Sequence, residues 1–182
     1  MKIQPTELAG AFILDVEPSH DVRGFFARTW CRDELLEHGL TAAIAQCSLS
    51  FNEKRGTLRG LHLQTHPYEE VKIVRCTSGS IFDVIVDLRA GSATFGRWIS
   101  VELSAGNRRS LYVPEGFAHG FQTLEEATEV FYQISVPYNP DHRGGVRWND
   151  PSLAIPWPIE NAIVSEGDGK LPLLDAFTQA AR

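Results

Sequence analysis

Residues 71–88 read VKIVRCTSGSIFDVIVDL, and this stretch decides the fold class. Apolar and polar residues alternate over 71–76, and a second β-rich run covers 81–88. A short turn, Ser78-Gly79-Ser80, separates the two runs. Two β-rich runs joined by a short turn that contains glycine predict a β-hairpin. We therefore expect two neighbouring antiparallel strands here.

Two carboxylates interrupt the second of these runs. Asp83 and Asp87 lie four residues apart, so in a strand their side chains share one face. That face is either exposed to solvent, or it borders a polar cavity inside a barrel, where each carboxylate needs a partner. The spacing alone leaves both alternatives open.

The rest of the chain repeats this pattern of short strands and turns. One helix is predicted over 33–38, because acidic residues begin it and Gly39 follows its end. So few helices cannot supply the crossovers of a parallel sheet. The sequence predicts an all-β sandwich or barrel, in a single domain over 1–182. Further strands are predicted over 12–16, 98–103, 110–113, 120–124 and 128–136.

The composition excludes several classes of protein. Of 182 residues, 43% are apolar and 22% are charged, as in globular domains, and the net charge is -6. A nucleic-acid partner is disfavoured because a phosphate backbone requires a basic face. No apolar run approaches the roughly 20 residues that span a bilayer, and the first residues lack the apolar core of a signal peptide. Cys31, Cys47 and Cys76 are widely spaced and odd in number, which predicts reduced thiols in a cytoplasmic protein.

Two histidine-bearing segments contain most of the residues that could carry chemistry. Residues 59–66 read RGLHLQTH, with Lys72 further on, and residues 114–121 read PEGFAHGF. In a strand, Gln64 shares the face of His62 and the neighbouring leucines point away. Cations near an imidazole lower its pKa and keep it a neutral base. In both segments a buried, hydrogen-bonded structural histidine is the alternative.

A metal site is a second possibility for these segments. His62 and His119, with Gln64 and either Glu69 or Glu70, loosely match the two metal-binding motifs of cupins. Gln64 stands where a second histidine would be, and Lys72 adds positive charge where a divalent ion would sit. A metal-dependent cupin dioxygenase or isomerase is therefore the alternative function, and no residue is assigned to a metal.

Taken in order, the segments resemble the dTDP-4-dehydrorhamnose 3,5-epimerase family, a metal-free family with a cupin-type jelly roll, or double-stranded β-helix. The resemblance runs from about residue 3 to residue 175 and is most specific in RGLH and PEGFAHGF. Further matching segments are 21–26, 46–50, 56–64, 82–89, 92–98 and 148–151, together with Lys72, Tyr132 and Tyr138.

The resemblance implies an epimerase that acts at C3, C5 or both on a nucleotide-diphospho-4-keto-6-deoxyhexose, through an enolate and without a cofactor. By this resemblance, His62 is the base and Asp168 is its carboxylate partner. Lys72 meets the enolate oxygen, and Tyr132 returns a proton on the opposite face. A base on one face and an acid on the other suit an inversion. Because His62, Lys72, Tyr132 and Asp168 are all present, the resemblance argues against a sugar-nucleotide binder without catalytic activity.

The resemblance also implies a substrate-binding set and a homodimer. Arginines suit the diphosphate because their forked donors match phosphate oxygens. Tyr138 corresponds to a residue that stacks on the nucleobase, and residues 23–28 are expected to reach into the partner's site. The full set is Arg23, Arg28, Gln46, Ser48, Arg59, Lys72, Asp83, His119, Tyr138 and Arg143.

Four positions depart from the family pattern. Arg28 and Arg143 stand where the family carries Glu, Ser48 where it carries Asn, and Gly167 where it carries Lys. By resemblance, all four contact the nucleotide or its phosphates. A carboxylate can accept the N3–H of thymine, whereas arginine only donates and suits cytosine or guanine. Either these changes are neutral with a dTDP-linked substrate, or the enzyme prefers a CDP- or GDP-linked sugar.

Overall fold

The computed structural model describes residues 1–180, and most of this chain is built from short strands. The last two residues of the predicted domain lie outside the described part. The strands are β1 (Lys2–Pro5), β2 (Phe12–Asp15), β3 (Ser19–Asp21), β4 (Gly24–Phe26), β5 (Gln46–Asn52), β6 (Thr57–Gln64), β7 (Lys72–Ser78), β8 (Ser80–Asp87), β9 (Trp98–Ser104), β10 (Ser110–Val113), β11 (Phe117–Thr123), β12 (Thr128–Ile134), β13 (Arg143–Gly145) and β14 (Ile163–Val164). The helices are α1 (Arg32–Glu37), α2 (Glu166–Gly169) and α3 (Leu174–Ala180), with a 3₁₀ turn at Pro140–His142.

The strands form two large sheets. The first has the order β1-β2-β10-β7-β12-β5, and the second has the order β13-β6-β11-β8-β9. Neighbours within these orders run antiparallel, while β14 pairs with β6 in parallel and β3 pairs only with β4. The predicted all-β sandwich is confirmed, and α1 confirms the predicted helix. Among the described residues, no helix is long and apolar enough to cross a membrane.

The strands β7 and β8 exist as predicted, but they do not pair with each other. β7 lies between β10 and β12 in the first sheet, and β8 lies between β11 and β9 in the second. The predicted hairpin is therefore wrong, because the turn at Gly79 carries the chain from one sheet to the other. Val74 of β7 and Ile85 of β8 then meet in one buried cluster, so the two apolar faces are covered across the sandwich.

The core between the sheets takes residues from both. The first sheet contributes Val74, Leu111 and Val130, and the second contributes Ile81, Ile85, Leu103, Phe117 and Phe121. The even-numbered residues of β8, such as Val84 and Val86, face a second cluster that the C-terminal segment covers through Leu153 and Leu174. β8 is therefore buried on both faces.

Both aspartates of β8 lie on its interior face, so the solvent-exposed alternative is wrong for them. Each has an exposed fraction of 0%. Asp87 accepts hydrogen bonds from Arg89 (2.9 Å from Nε), Ser92 (2.6 Å) and Thr94 (2.6 Å). Burial raises the pKa of the Asp87 carboxyl, but these hydrogen bonds outweigh it and hold that pKa well below its usual range. Asp87 therefore fixes the loop after β8, whereas Asp83 lies behind the cavity described below and contacts His119.

The turn between the sheets leads to a stability prediction. Gly79 has φ +73°, and a Cβ there would lie 2.4 Å from Thr128 Oγ1. Gly91 has φ +76° with no atom within 4 Å of such a Cβ. Gly91→Ala should cost about 1 kcal/mol of unfolding free energy from backbone strain alone, and Gly79→Ala about 3 kcal/mol because overpacking adds to it. Urea denaturation measures both, and equal losses would contradict the proposed crowding at Gly79.

Candidate active site

A cavity of about 510 Å³ opens between the two sheets. Its first wall comes from β5, β7 and β12, and its second from β6, β11 and β13. The structure brings most of the predicted site residues together here, since the lining includes Gln46, Ser48, Arg59, His62, Lys72, His119, Tyr132, Tyr138 and Arg143.

His62 and Asp168 form a hydrogen-bonded pair at this cavity. His62 Nε2 lies 2.8 Å from Asp168 Oδ1, and the Gly60 N–H donates to Asp168 Oδ2 at 3.0 Å. Burial raises the pKa of the Asp168 carboxyl, but the hydrogen bonds from His62 and Gly60 outweigh it, so the pKa lies below its usual value. An ionised carboxylate only accepts, so Nε2 carries the proton and Nδ1 is the nitrogen that can act as a base.

Asp168 is held by the local structure of α2. The Ser165 side chain accepts a hydrogen bond from the Asp168 N–H at 3.1 Å and caps the start of this short helix. The Asp168 side chain is buried, whereas one third (33%) of the His62 side chain is exposed. The pair therefore presents an accessible imidazole supported by a fixed, buried carboxylate.

A β-bulge in β6 directs two functional side chains to the same side. His62 is opposite His119 and Arg59 is opposite Phe121, so β6 holds one more residue than β11 between these pairs. Gly60 is required there, because it has φ +136° and a Cβ would lie 2.6 Å from the Gly120 Cα. With strict alternation, the side chains of Arg59 and His62 would point to opposite faces of β6. A glycine inside a strand pattern is the sequence signal for such a bulge.

His119 and Asp83 form a second pair, deeper in the molecule. His119 Nε2 lies 2.7 Å from Asp83 Oδ1, and both side chains are buried. Burial raises the pKa of Asp83, against the opposing effects of His119 and Lys72. Asp83 Oδ2 has no hydrogen-bond partner within the described residues. Of this pair only His119 lines the cavity, beside Tyr132, and the two ring centroids lie 6.0 Å apart. Asp83 is fully buried behind His119, so its predicted contact with substrate is absent within one chain.

Tyr132 lies on β12, in the wall opposite His62. Burial, and then the charge of Asp83, raise the pKa of the Tyr132 hydroxyl far above its usual value. The phenol is therefore protonated at neutral pH where it lines the cavity, although the same burial makes it a weaker acid than an exposed tyrosine.

Lys72 is paired with a residue that the sequence did not assign to the site. Lys72 Nζ lies 2.8 Å from Glu70 Oε1, and both side chains are about nine-tenths buried. Gln64 Nε2 donates to Glu70 Oε2 at 3.2 Å, and Gln64 Oε1 accepts the Asn139 N–H at 2.6 Å. The signal for Glu70 is a general one, because a buried ammonium needs a partner. Glu70 and Gln64 therefore fix the ammonium in the cavity wall.

The mouth of the cavity is polar and exposed. The Tyr138 N–H donates to Gln46 Oε1 at 2.9 Å, and Arg59 Nε donates to Asn52 Oδ1 at 2.8 Å. Arg143 has 47% of its side chain exposed. With Lys72 deeper in the cavity, Arg59 and Arg143 give the site a cationic lining that suits an anionic ligand.

Arg23 and Arg28 do not reach the cavity of their own chain. Arg23 lies at the tip of the β3–β4 hairpin with 85% of its side chain exposed, and it contacts Asp21. Arg28 forms an ion pair with Glu34. The hairpin pairs with neither large sheet, so within one chain these two predicted contacts are absent from the site.

Comparison with known proteins agrees with this architecture. The family model described as dTDP-4-dehydrorhamnose 3,5-epimerase matches residues 5–176. The chain belongs to this family. A curated relative of the same name from Sinorhizobium fredii is 40% identical over 179 residues, which are 96% of this chain and 90% of the relative. As a member of the dTDP-4-dehydrorhamnose 3,5-epimerase family, the chain is an isomerase.

Two solved structures extend the comparison. The dTDP-4-dehydrorhamnose 3,5-epimerase of Bacillus anthracis str. Ames, with TDP and PPi bound, is 44% identical, with a TM-score of 0.92 and coverage of 94% of this chain and 98% of that one. The 3′-monoepimerase ChmJ of Streptomyces bikiniensis, in complex with dTDP-quinovose, is 29% identical, with a TM-score of 0.91 and coverage of 98% and 90%. Both similarities extend over nearly the whole chain.

The family match does not favour the metal-dependent alternative. Within residues 1–180, no group of three His, Cys, Asp or Glu side chains is placed to hold a metal ion. The Nε2 atoms of His62 and His119 instead face the carboxylates of Asp168 and Asp83.

Proposed function

We propose that this enzyme inverts C3, C5 or both of a dTDP-linked 4-keto-6-deoxyhexose through an enolate, in a single catalytic domain. The observation that supports this most is the placement of His62 and Tyr132 on opposite walls of one cavity. Inversion needs removal of a proton from one face of a carbon and its return to the other. A base and an acid on facing sheets supply that arrangement.

The proton path follows from the pairs described above. His62 Nδ1 takes the proton of the carbon next to the ketone, and the C–H electron pair moves to the ketone oxygen as the enolate forms. Asp168 stabilises the imidazolium, and Lys72 offers its charge to the enolate oxygen. Tyr132 then gives its hydroxyl proton to the opposite face of the carbon. The enzyme is left with a protonated His62 and a deprotonated Tyr132, which exchange with solvent to restore the resting state.

Exchange with D₂O separates the two roles. His62→Ala should lower deuterium incorporation next to the ketone at least about 100-fold, because the base is lost. Tyr132→Phe should retain that exchange while inversion falls by a similar factor, because only the returning proton is lost. NMR measures both, and His66→Ala, on an exposed histidine outside the cavity, is the control.

The two variants also have clear failing outcomes. His62 would be structural if His62→Ala abolished nucleotide binding together with exchange, and inversion at the normal rate in Tyr132→Phe would remove Tyr132 as the acid. The position of the deuterium, at C3, at C5 or at both, decides how many carbons are inverted.

We propose the identity of the nucleotide from the positions of the residues that differ from the family pattern. Arg143 Nη2 lies 3.7 Å from Asp168 Oδ1, beside the reacting end of the cavity, which favours a contact with a phosphate or the sugar over one with the base. Ser48 lines the cavity, and Arg28 does not line it within its own chain. We therefore propose dTDP and retain CDP and GDP as the alternative.

Calorimetric competition among dTDP, CDP, GDP and UDP tests the nucleotide. We expect dTDP to bind at least about tenfold more tightly than the others. Arg143→Glu should weaken all four by a similar factor, because they share the diphosphate. Tightest binding of CDP or GDP, or a changed ranking in the variant, would show instead that Arg143 reads the base.

We also propose a homodimer in which the β3–β4 hairpin completes the partner's site. Val22 and Phe26 of this hairpin are exposed, Phe26 at 82%. β5 is an edge strand of the first sheet with Leu49 and Phe51 exposed. Exposed apolar side chains on a projecting hairpin and an uncovered edge are typical of an interface.

Mixing inactive subunits tests this sharing. If Arg23 acts in the partner's site, Arg23→Ala and His62→Ala homodimers are both impaired. Reassembly from equal amounts then restores up to about a quarter of wild-type activity, since half of the dimers are mixed and each has one intact site. Light scattering checks that each variant and the mixture remain dimeric, and a monomer with full activity would contradict the proposed homodimer. No recovery in mixed dimers would place Arg23 outside the partner's site.

The cellular location is proposed from the thiols. Cys31, Cys47 and Cys76 are all unpaired in the described chain, and Cys47 is exposed. Free thiols persist in a reducing compartment, so we propose that the enzyme works in the cytoplasm.

A further inference from the structure

The Lys72 side chain crosses from the first sheet to the second. Lys72 begins β7, and its Nζ donates to the backbone carbonyl of His62, on β6, at 3.4 Å. The same Nζ lies 2.8 Å from Glu70 Oε1. An ammonium has three N–H donors, so the protein takes two of them and the third is left for a ligand in the cavity that Lys72 lines. The position of the Glu70 carboxylate therefore determines where this third donor points.

The Glu70 carboxylate is itself held in place. Its second oxygen, Oε2, accepts from Gln64 Nε2 at 3.2 Å, and the same nitrogen donates to the Tyr68 carbonyl oxygen at 3.1 Å. Gln64 Oε1 accepts the Asn139 N–H at 2.6 Å, so the amide cannot turn without losing contacts at both of its ends. Gln64 is buried, and the side chains of Glu70 and Lys72 are only 9% and 10% exposed. The ion pair is therefore shielded from solvent and restrained through both carboxylate oxygens.

The charge of Glu70 alone would oppose the proposed reaction. Glu70 lies beside the ammonium that we assign to the enolate oxygen, and a negative charge there disfavours a developing enolate. If only charge mattered, the site would work better without this carboxylate. A donor that is already oriented, in contrast, needs no reorganisation as the enolate forms, and electrostatic catalysis depends on such preorganisation. Orientation of the ammonium is the effect that can offset the unfavourable charge.

We propose that Glu70 is a positioning residue that acts through Lys72. Glu70 takes one N–H of the ammonium, the His62 carbonyl takes a second, and the third is presented to the ligand. Because the ammonium is anchored on the residue that carries the base, the base and this donor keep a fixed separation. This role of Glu70 rests on the proposed function, in which His62 is the base and Lys72 meets the enolate oxygen.

A double-mutant cycle, read by deuterium exchange in D₂O, tests the proposal. Lys72→Ala should lower exchange next to the ketone at least about 100-fold, because the donor to the enolate oxygen is lost. Glu70→Ala should lower it about tenfold, because the donor remains but is no longer oriented. The double variant should be no slower than Lys72→Ala, because Glu70 then has no ammonium to act on.

An isosteric variant repeats the cycle without changing the size of the side chain. Glu70→Gln has one acceptor oxygen for the two donors of Lys72 and Gln64, so exchange should fall about threefold when Lys72 is present and not at all in Lys72→Ala. This variant decides the question if Glu70→Ala does not fold. Urea denaturation checks the folding of every variant.

The division between kcat and KM separates positioning from a structural role. In Glu70→Ala, kcat should fall with the exchange rate, whereas KM should change less than about threefold, because the arginines that line the mouth are unchanged. Glu69→Gln is the matched control and should leave kcat unchanged. Glu69 is the neighbouring glutamate, and it pairs with the exposed His66 outside this cavity.

Each contrary outcome has one meaning. Faster exchange in Glu70→Ala would overturn the proposal, because Glu70 would then act only by its charge. Losses that multiply in the double variant would overturn it as well, because a structural role does not depend on Lys72. A loss in Lys72→Ala with none in Glu70→Ala would remove the role of Glu70 alone. Wild-type exchange in Lys72→Ala would remove Lys72 from the enolate, so the proposed function would fail together with the role of Glu70.

Discussion

The carboxylate of Asp168 fixes two points of β6 at once. One oxygen holds His62 and the other accepts the N–H of Gly60, within the bulge. Without this contact, the bulge would lose a buried acceptor and the imidazole would lose its orientation. Since Asp168 comes from the C-terminal segment, more than 100 residues later in sequence, the site is complete only when the end of the chain has packed on the second sheet.

The sandwich determines how the chemistry is divided. The second sheet carries His62 and His119, and the first sheet carries Lys72 and Tyr132. Rigid, packed sheets hold the two sets at a fixed separation, and preorganisation of this kind is what electrostatic catalysis requires. The net charge of -6 belongs to the exterior, because the cavity itself is lined by cations.

Much of this arrangement could be predicted from sequence, since local alternation reports strands and family motifs report side-chain types. The sequence patterns could not predict which strands pair when those strands lie far apart in the sequence. The prediction of a hairpin at Gly79 was wrong because β7 and β8 belong to different sheets and bury their apolar side chains against each other across the sandwich. The shared face of Arg59 and His62 was hidden by the bulge. Glu70 was considered only as a possible metal ligand, because its pairing with Lys72 depends on the burial of both side chains. Each error concerns an interaction between segments rather than the character of a segment.

The edge strand β5 serves the cavity and the outer surface with alternate residues. Gln46, Ser48 and Ser50 are half-buried and line the cavity, while Cys47, Leu49 and Phe51 are exposed, Leu49 at the rim of the cavity. A strand has a period of two, so inserting or deleting a single residue would exchange these faces completely. Substitutions of Cys47 or Phe51 therefore act on the outer surface, which includes the proposed dimer contact, rather than on the ligand side. The length of this strand, by contrast, is not free to vary.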